Sequence, residues 1–265
     1  MSFIHRTLIF SMIIYVPLFI AAQCIAPMPP CLLLIVALSG GISGIYFFAL
    51  CKAYQGGVVS VVYPLARSFP LMILTWAGLF LGERPSLGGI VGIGLVVAGG
   101  FILPYKRFCV GADGFCLANY LNRSAAWALV AALATSLYSI IDKIAATHMS
   151  NGSTAASVAL RIEYVYLQNA AGLGIMALAM ARLRIPVERI QPRRAILCGI
   201  IFLVSYLLIM LALTTAPVSS VMALRQFSIV IAALTSMLWL ERDFSWPRLW
   251  GVLAIFAGVA MVGLA

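Results

Sequence analysis

Residues 58–84 read VVSVVYPLARSFPLMILTWAGLFLGER, and residues 216–242 read APVSSVMALRQFSIVIAALTSMLWLER. Laid end to end, Leu65-Ala66-Arg67 falls on Ala223-Leu224-Arg225, and Leu81-Gly82-Glu83-Arg84 falls on Trp239-Leu240-Glu241-Arg242. After one inserted residue the match resumes, with Gly92 on Gly251, Ala98 on Ala257 and Gly99 on Gly258. An apolar composition aligns leucines and glycines by chance. It does not readily align an arginine inside an apolar run together with a Glu-Arg pair at its end. The chain therefore carries an internal repeat, and a repeat has to be recognised before any function is argued.

The rest of the sequence says where that repeat lives. The chain has 265 residues, of which 64% are hydrophobic and 9% charged, and its mean hydropathy is +1.10. Soluble domains run at about 25% charged residues, so this chain cannot solvate a surface of its own size. Apolar runs fall at 8–26, 31–51, 58–82, 86–103, 125–147, 155–181, 195–213, 216–240 and 246–265. Each is close to the ~20 residues that cross a hydrocarbon core. They are continuously apolar rather than alternating, which selects helices over a β-barrel. The expected fold is an all-α integral membrane protein of nine spans. The run at 8–26, with Pro17 inside it, reads as a retained span rather than a cleaved leader.

An odd number of helix starts separates the two copies, so the second runs through the membrane in the opposite direction. Inverted-topology repeats with a site at their interface recur among transporters. The repeat divides the chain into 1–104, a connecting loop at 105–124, and 125–265. Four helices fall in the first part and five in the second. The arrangement reads as a ten-helix bundle lacking its first helix, through either a late start or a natural nine-helix variant.

The stretch Val59–Arg67, followed by Leu79-Phe80-Leu81-Gly82-Glu83-Arg84, resembles the first repeat of EamA-type transporters in the drug/metabolite transporter superfamily. Ala216–Val221 with Leu224-Arg225, then Leu240-Glu241-Arg242, resembles the second. The resemblance implies two inverted five-helix repeats and secondary transport of a small metabolite, often export of amino acids or related compounds. It implies no substrate in particular.

Ionisable groups inside spans face a cavity or a partner far more often than lipid. Arg67 and Arg225 each lie about 14 Å into their runs at 1.5 Å per residue, near the bilayer middle. A guanidinium there suits bidentate binding of a carboxylate or phosphate, or it ties neighbouring helices together. Tyr63 and Tyr164 are the aromatic candidates beside them for solute contact, with Tyr138 and Tyr206 as further ones. Glu163 and Asp142 are candidates for proton coupling, unless each is neutralised by Arg161, Lys143 or Arg225. Glu83, Arg84, Glu241 and Arg242 read as groups that fix turns.

His5 and His148 sit near span ends and form no dyad with a nucleophile, so an enzyme is not expected. An intramembrane enzyme and a passive channel are the alternatives. The six cysteines show no metal spacing, and neither a metal nor a cofactor is expected. The net charge of +10 is spread through loops and is not the concentrated patch that nucleic acid needs. The expected partners are lipid and a small-molecule solute, and homodimer formation is left open. Loop charge gathers on the side of residue 1 (Arg6, Lys52, Arg182, Arg193 and Arg194 among others), while the other side has Arg84. By the positive-inside rule that puts residue 1 in the cytoplasm and the protein in the cell inner or plasma membrane.

Overall fold

The structure is a computed structural model that describes residues 1–56, 59–103, 105, 122–150, 154–185, 191–235, 237 and 245–264. The described residues form helices and turns with no strand. The helices are α1 (Ser2–Ile25), α2 (Pro30–Gly56), α3 (Val59–Arg67), α4 (Phe69–Leu81), α5 (Leu87–Ile102) and α6 (Arg123–His148). They continue with α7 (Thr154–Arg182), α8 (Pro192–Thr215), α9 (Val218–Leu224), α10 (Phe227–Thr235) and α11 (Trp246–Leu264). Among the described residues, eight stretches are long and apolar enough to cross a membrane, counting α3–α4 and α9–α10 as one crossing each. The shorter apolar α5 fills the run at 86–103. Every apolar run of the sequence thus carries a helix.

Proline and glycine set the ends, as their chemistry requires. Gly82 closes α4 in the left-handed region at φ 64°, and the Glu83 N–H returns to the Ala77 carbonyl at 3.2 Å. Ser86 then opens α5 by accepting a hydrogen bond from the Gly89 N–H at 3.1 Å.

The chain divides into two compact units that interleave its halves. The first is Met1–Cys51 with Leu137–Ala216; the second is Lys52–Ser136 with Pro217–Ala265. The sequence repeat is thus a division along the chain, and the units are a different division in space. Each unit draws on both copies.

In the first unit, Leu8, Phe47, Cys51, Met176 and Met180 form an apolar cluster. Small residues let its helices approach closely, as they do where lipid offers no hydrophobic drive. A Cβ on Gly40 of α2 would lie 2.6 Å from the Ala171 Cβ of α7. In the second unit, Val96, Ile229, Val230, Val252, Ile255 and Val259 form the core, built around an α5–α11 seam. There a Cβ on Gly92 would meet the Gly258 carbonyl at 2.7 Å, and one on Gly99 would meet the Gly251 carbonyl at 2.6 Å. The glycines pair crosswise. Gly92 is the sequence counterpart of Gly251 and Gly99 that of Gly258, yet each contacts the counterpart of the other. Rising numbers on α5 meet falling numbers on α11, so the two helices run antiparallel.

Candidate functional site

Each unit holds ionisable side chains inside its spans, and the two sets are built differently. In the second unit they stand where helices break. α3 stops at Arg67 and α4 starts at Phe69. Pro70 has no N–H to return to Ala66, which weakens the helical ladder at this point. The Ser68 N–H and hydroxyl both turn back to the Leu65 carbonyl, at 3.2 and 2.7 Å. The second copy breaks at the aligned place, between α9 at Leu224 and α10 at Phe227. No proline is involved there. The Gln226 N–H bonds the Ala223 carbonyl at 3.0 Å and the Ile229 N–H bonds the Gln226 carbonyl at 2.9 Å, each three residues back, the tighter 3₁₀ pattern.

The two breaks meet through Gln226. Its amide donates to the Arg67 carbonyl at 3.1 Å, and its oxygen faces Arg67 Nη1 at 3.5 Å. The Arg67 guanidinium lies 5.7 Å from the centre of the Tyr63 ring, within cation–π range. Arg67 is half-buried, and no carboxylate pairs with it among the described residues. Arg225, also half-buried, approaches the Met222 sulfur at 3.6 Å. Of the four turn residues, Glu83 reaches out of its own turn. It accepts from the Val218 N–H at 2.8 Å and the Ser219 hydroxyl at 3.1 Å, capping the start of α9. Arg84 is exposed. Glu241 and Arg242 lie outside the described residues.

The first unit holds a closed polar cluster on Asp142, which is 1% exposed. Ser39 donates to Oδ1 at 2.6 Å and Tyr164 donates to Oδ1 at 2.8 Å. Gln168 donates to Oδ1 at 3.0 Å and faces Oδ2 at 3.3 Å. The Tyr206 hydroxyl donates to Oδ2. Gln168 also donates to the oxygens of Ser39 and Tyr206, at 2.7 and 3.2 Å. Tyr164 is thus engaged by Asp142. Lys143 ties off the end of α8, donating to the Leu213 and Ala216 carbonyls at 2.6 and 2.8 Å, a favourable place for a cation. Glu163 is fully buried; its Oε2 accepts from the Gln23 amide at 3.0 Å, and its Oε1 has no hydrogen-bond partner. Among the described residues of this unit, neither carboxyl is paired with Arg161 or Lys143.

Ser39, Gln168, Gln226 and Gln23 take part in these clusters, yet the apolar pattern alone did not single them out. Gln168 carried a readable signal: it is an amide inside an apolar span, four residues after Tyr164 and so on the same helical face.

Membrane-length helices with arginines at mid-span breaks and a carboxylate sealed among hydroxyls define a multi-pass membrane protein of the transporter class. The EamA-like transporter family pattern matches residues 122–264, more than half of the chain. The protein belongs to that family. A solved protein crystal structure, 17% identical, superposes with a TM-score of 0.64 over 99% of this chain and 95% of its own. At that identity the likeness is one of fold. No curated protein matches the chain.

Proposed function

We propose that this protein is a secondary carrier that moves a small organic solute, amino-acid-like or similar, out of the cell by alternating access between two inverted repeats. The repeats are 1–104 and 125–265, joined by 105–124. The observation that carries this reading is that both copies interrupt their span at the same aligned point, beside the aligned arginine. Interrupted spans at corresponding positions of two halves mark binding sites in carriers, because freed backbone groups and half-helix ends can meet a solute. The crosswise glycine pairing on α5 and α11 supports the inversion, since it is the contact pattern of a two-fold axis lying between them.

Arg67 and Arg225, with Tyr63 and Tyr164, are the solute-binding candidates. Guanidiniums favour a solute bearing a carboxylate or phosphate. Asp142 and Glu163 are the candidate groups through which a proton gradient would drive the solute. The loop charges support an orientation with residue 1 on the cytoplasmic face of the cell membrane.

The test is flux of a metabolite panel in proteoliposomes, with and without a pH gradient. Saturable, gradient-dependent movement of one solute class is expected. Non-saturating flux would mean a channel, and turnover in detergent without two compartments would mean an enzyme. Either result would overturn the carrier reading.

A further inference from the structure

The two buried carboxyls of the first unit differ in what surrounds them. Glu163 has the Gln23 amide and the Met28 backbone as its polar neighbours, and its Oε1 has no hydrogen-bond partner. Asp142 is enclosed by Ser39 of α2, Tyr164 and Gln168 of α7, and Tyr206 of α8. All four groups facing it are neutral. Arg161 and Glu163, the charged residues of α7 nearest in sequence to Tyr164, are not among its contacts. On its own helix, Lys143 donates instead to the carbonyls at the end of α8. A carboxylate inside an apolar span with no fixed counter-charge is costly. A proton removes that cost, and it adds no volume. A metal cation would have to displace contacts that already close around the carboxylate at 2.6–3.3 Å.

The chemistry of the enclosing groups favours a site that accepts both states. An ionised carboxylate only accepts hydrogen bonds, whereas a protonated one must donate its single O–H. A shell of N–H groups would serve the first state and clash with the second. Here three of the four partners are hydroxyls, which donate or accept as they rotate. Gln168 bonds the Ser39 and Tyr206 oxygens as well as Asp142, so it holds the shell in place while the hydroxyls reverse.

We infer that Asp142 is the proton-carrying carboxyl of this transporter, with Ser39, Tyr164, Gln168 and Tyr206 as positioning residues that stabilise both of its protonation states. This rests on the carrier reading above and selects Asp142 over Glu163. In the loading step a hydronium ion of bulk water gives up a proton: its O–H bond breaks, leaving water, as an O–H bond forms at Oδ2. The Tyr206 hydroxyl turns its hydrogen away and accepts the new one. Unloading is the reverse, and no other bond forms or breaks.

The experiment is infrared difference spectroscopy of the full chain in lipid nanodiscs across a pH jump. The wild type shows a carboxyl C=O band that grows on acidification. Asp142→Asn removes it completely, and Glu163→Gln leaves it in place. Tyr206→Phe shifts its frequency by deleting one hydrogen bond. A missing wild-type band overturns the proposal, as does a band that survives Asp142→Asn or disappears with Glu163→Gln. A band that answers to sodium at constant pH also overturns it. Should Asp142→Asn fail to fold, Tyr206→Phe decides, and an unshifted band overturns the assignment. The spectra require no solute, so this result stands apart from whether the metabolite panel finds one.

Discussion

The two units treat a charged group inside a membrane in opposite ways. The first surrounds Asp142 with four neutral partners and leaves it 1% exposed. The second places Arg67 and Arg225 at interrupted helices, half-buried, where Arg67 has an amide at 3.5 Å and an aromatic ring. A satisfied, sealed group binds something that needs no space. Arg67, with one amide at 3.5 Å and a ring beside it, keeps guanidinium donors that a solute carboxylate or phosphate would engage under the proposed carrier reading. The proposed roles follow that difference, a proton for the first unit and a solute for the second.

The largest effect is expected where sealing is complete. Asp142→Leu takes the shared acceptor away from the Ser39, Tyr164 and Tyr206 hydroxyls, at about 1–3 kcal/mol for each buried group left unpaired. Almost no folded protein should then be recovered from the membrane. Recovery of normally stable protein would break the contrast, because the cluster would not be a unit. The second unit depends instead on its glycine seam. Gly258→Ala drives a Cβ to 2.5 Å from the Gly92 carbonyl, which should cost about 1–3 kcal/mol as overpacking and lower the thermal midpoint in detergent. Gly94→Ala, whose Cβ would meet nothing within 4 Å, should change the midpoint little.

How much of this could be read in advance depended on the range of the signal. Continuous apolar runs located every span, and the aligned Arg67 and Arg225 were visible from the repeat. The breaks beside them were not equally legible. Pro70 sits beside the first, although Pro17 and Pro64 lie within unbroken helices, and the second, at Arg225–Gln226, has no proline and arises from 3₁₀ tightening. Asp142 stood out as a carboxyl in a span, whereas Ser39 comes from a helix 103 residues away and looks like any serine. Glu83 read as a turn group, yet its carboxylate caps α9 far along the chain. Local chemistry marks the ionisable residue, and tertiary contacts choose its partners.

Smaller perturbations sharpen the comparison. Gln226→Leu removes both hydrogen bonds to Arg67. It should cost about 1 kcal/mol of stability and lower solute flux several-fold while leaving the carboxyl infrared band intact. A lost band would show that the two roles are not separable. Smallest of all, Ser86→Ala deletes the cap of α5 and should cost about 1 kcal/mol in thermal stability, with transport per folded molecule unchanged.

The most direct measurement of the central claim is solute flux by Arg67→Ala and Arg225→Ala proteins at matched abundance in proteoliposomes, on whichever solute the wild type carries. Each variant should lose at least about tenfold in transport, equivalent to about 1.4 kcal/mol, with the pH-dependent carboxyl band unaltered. Flux equal to wild type in both variants would contradict the account, because the arginines at the two breaks would then have no part in moving the solute.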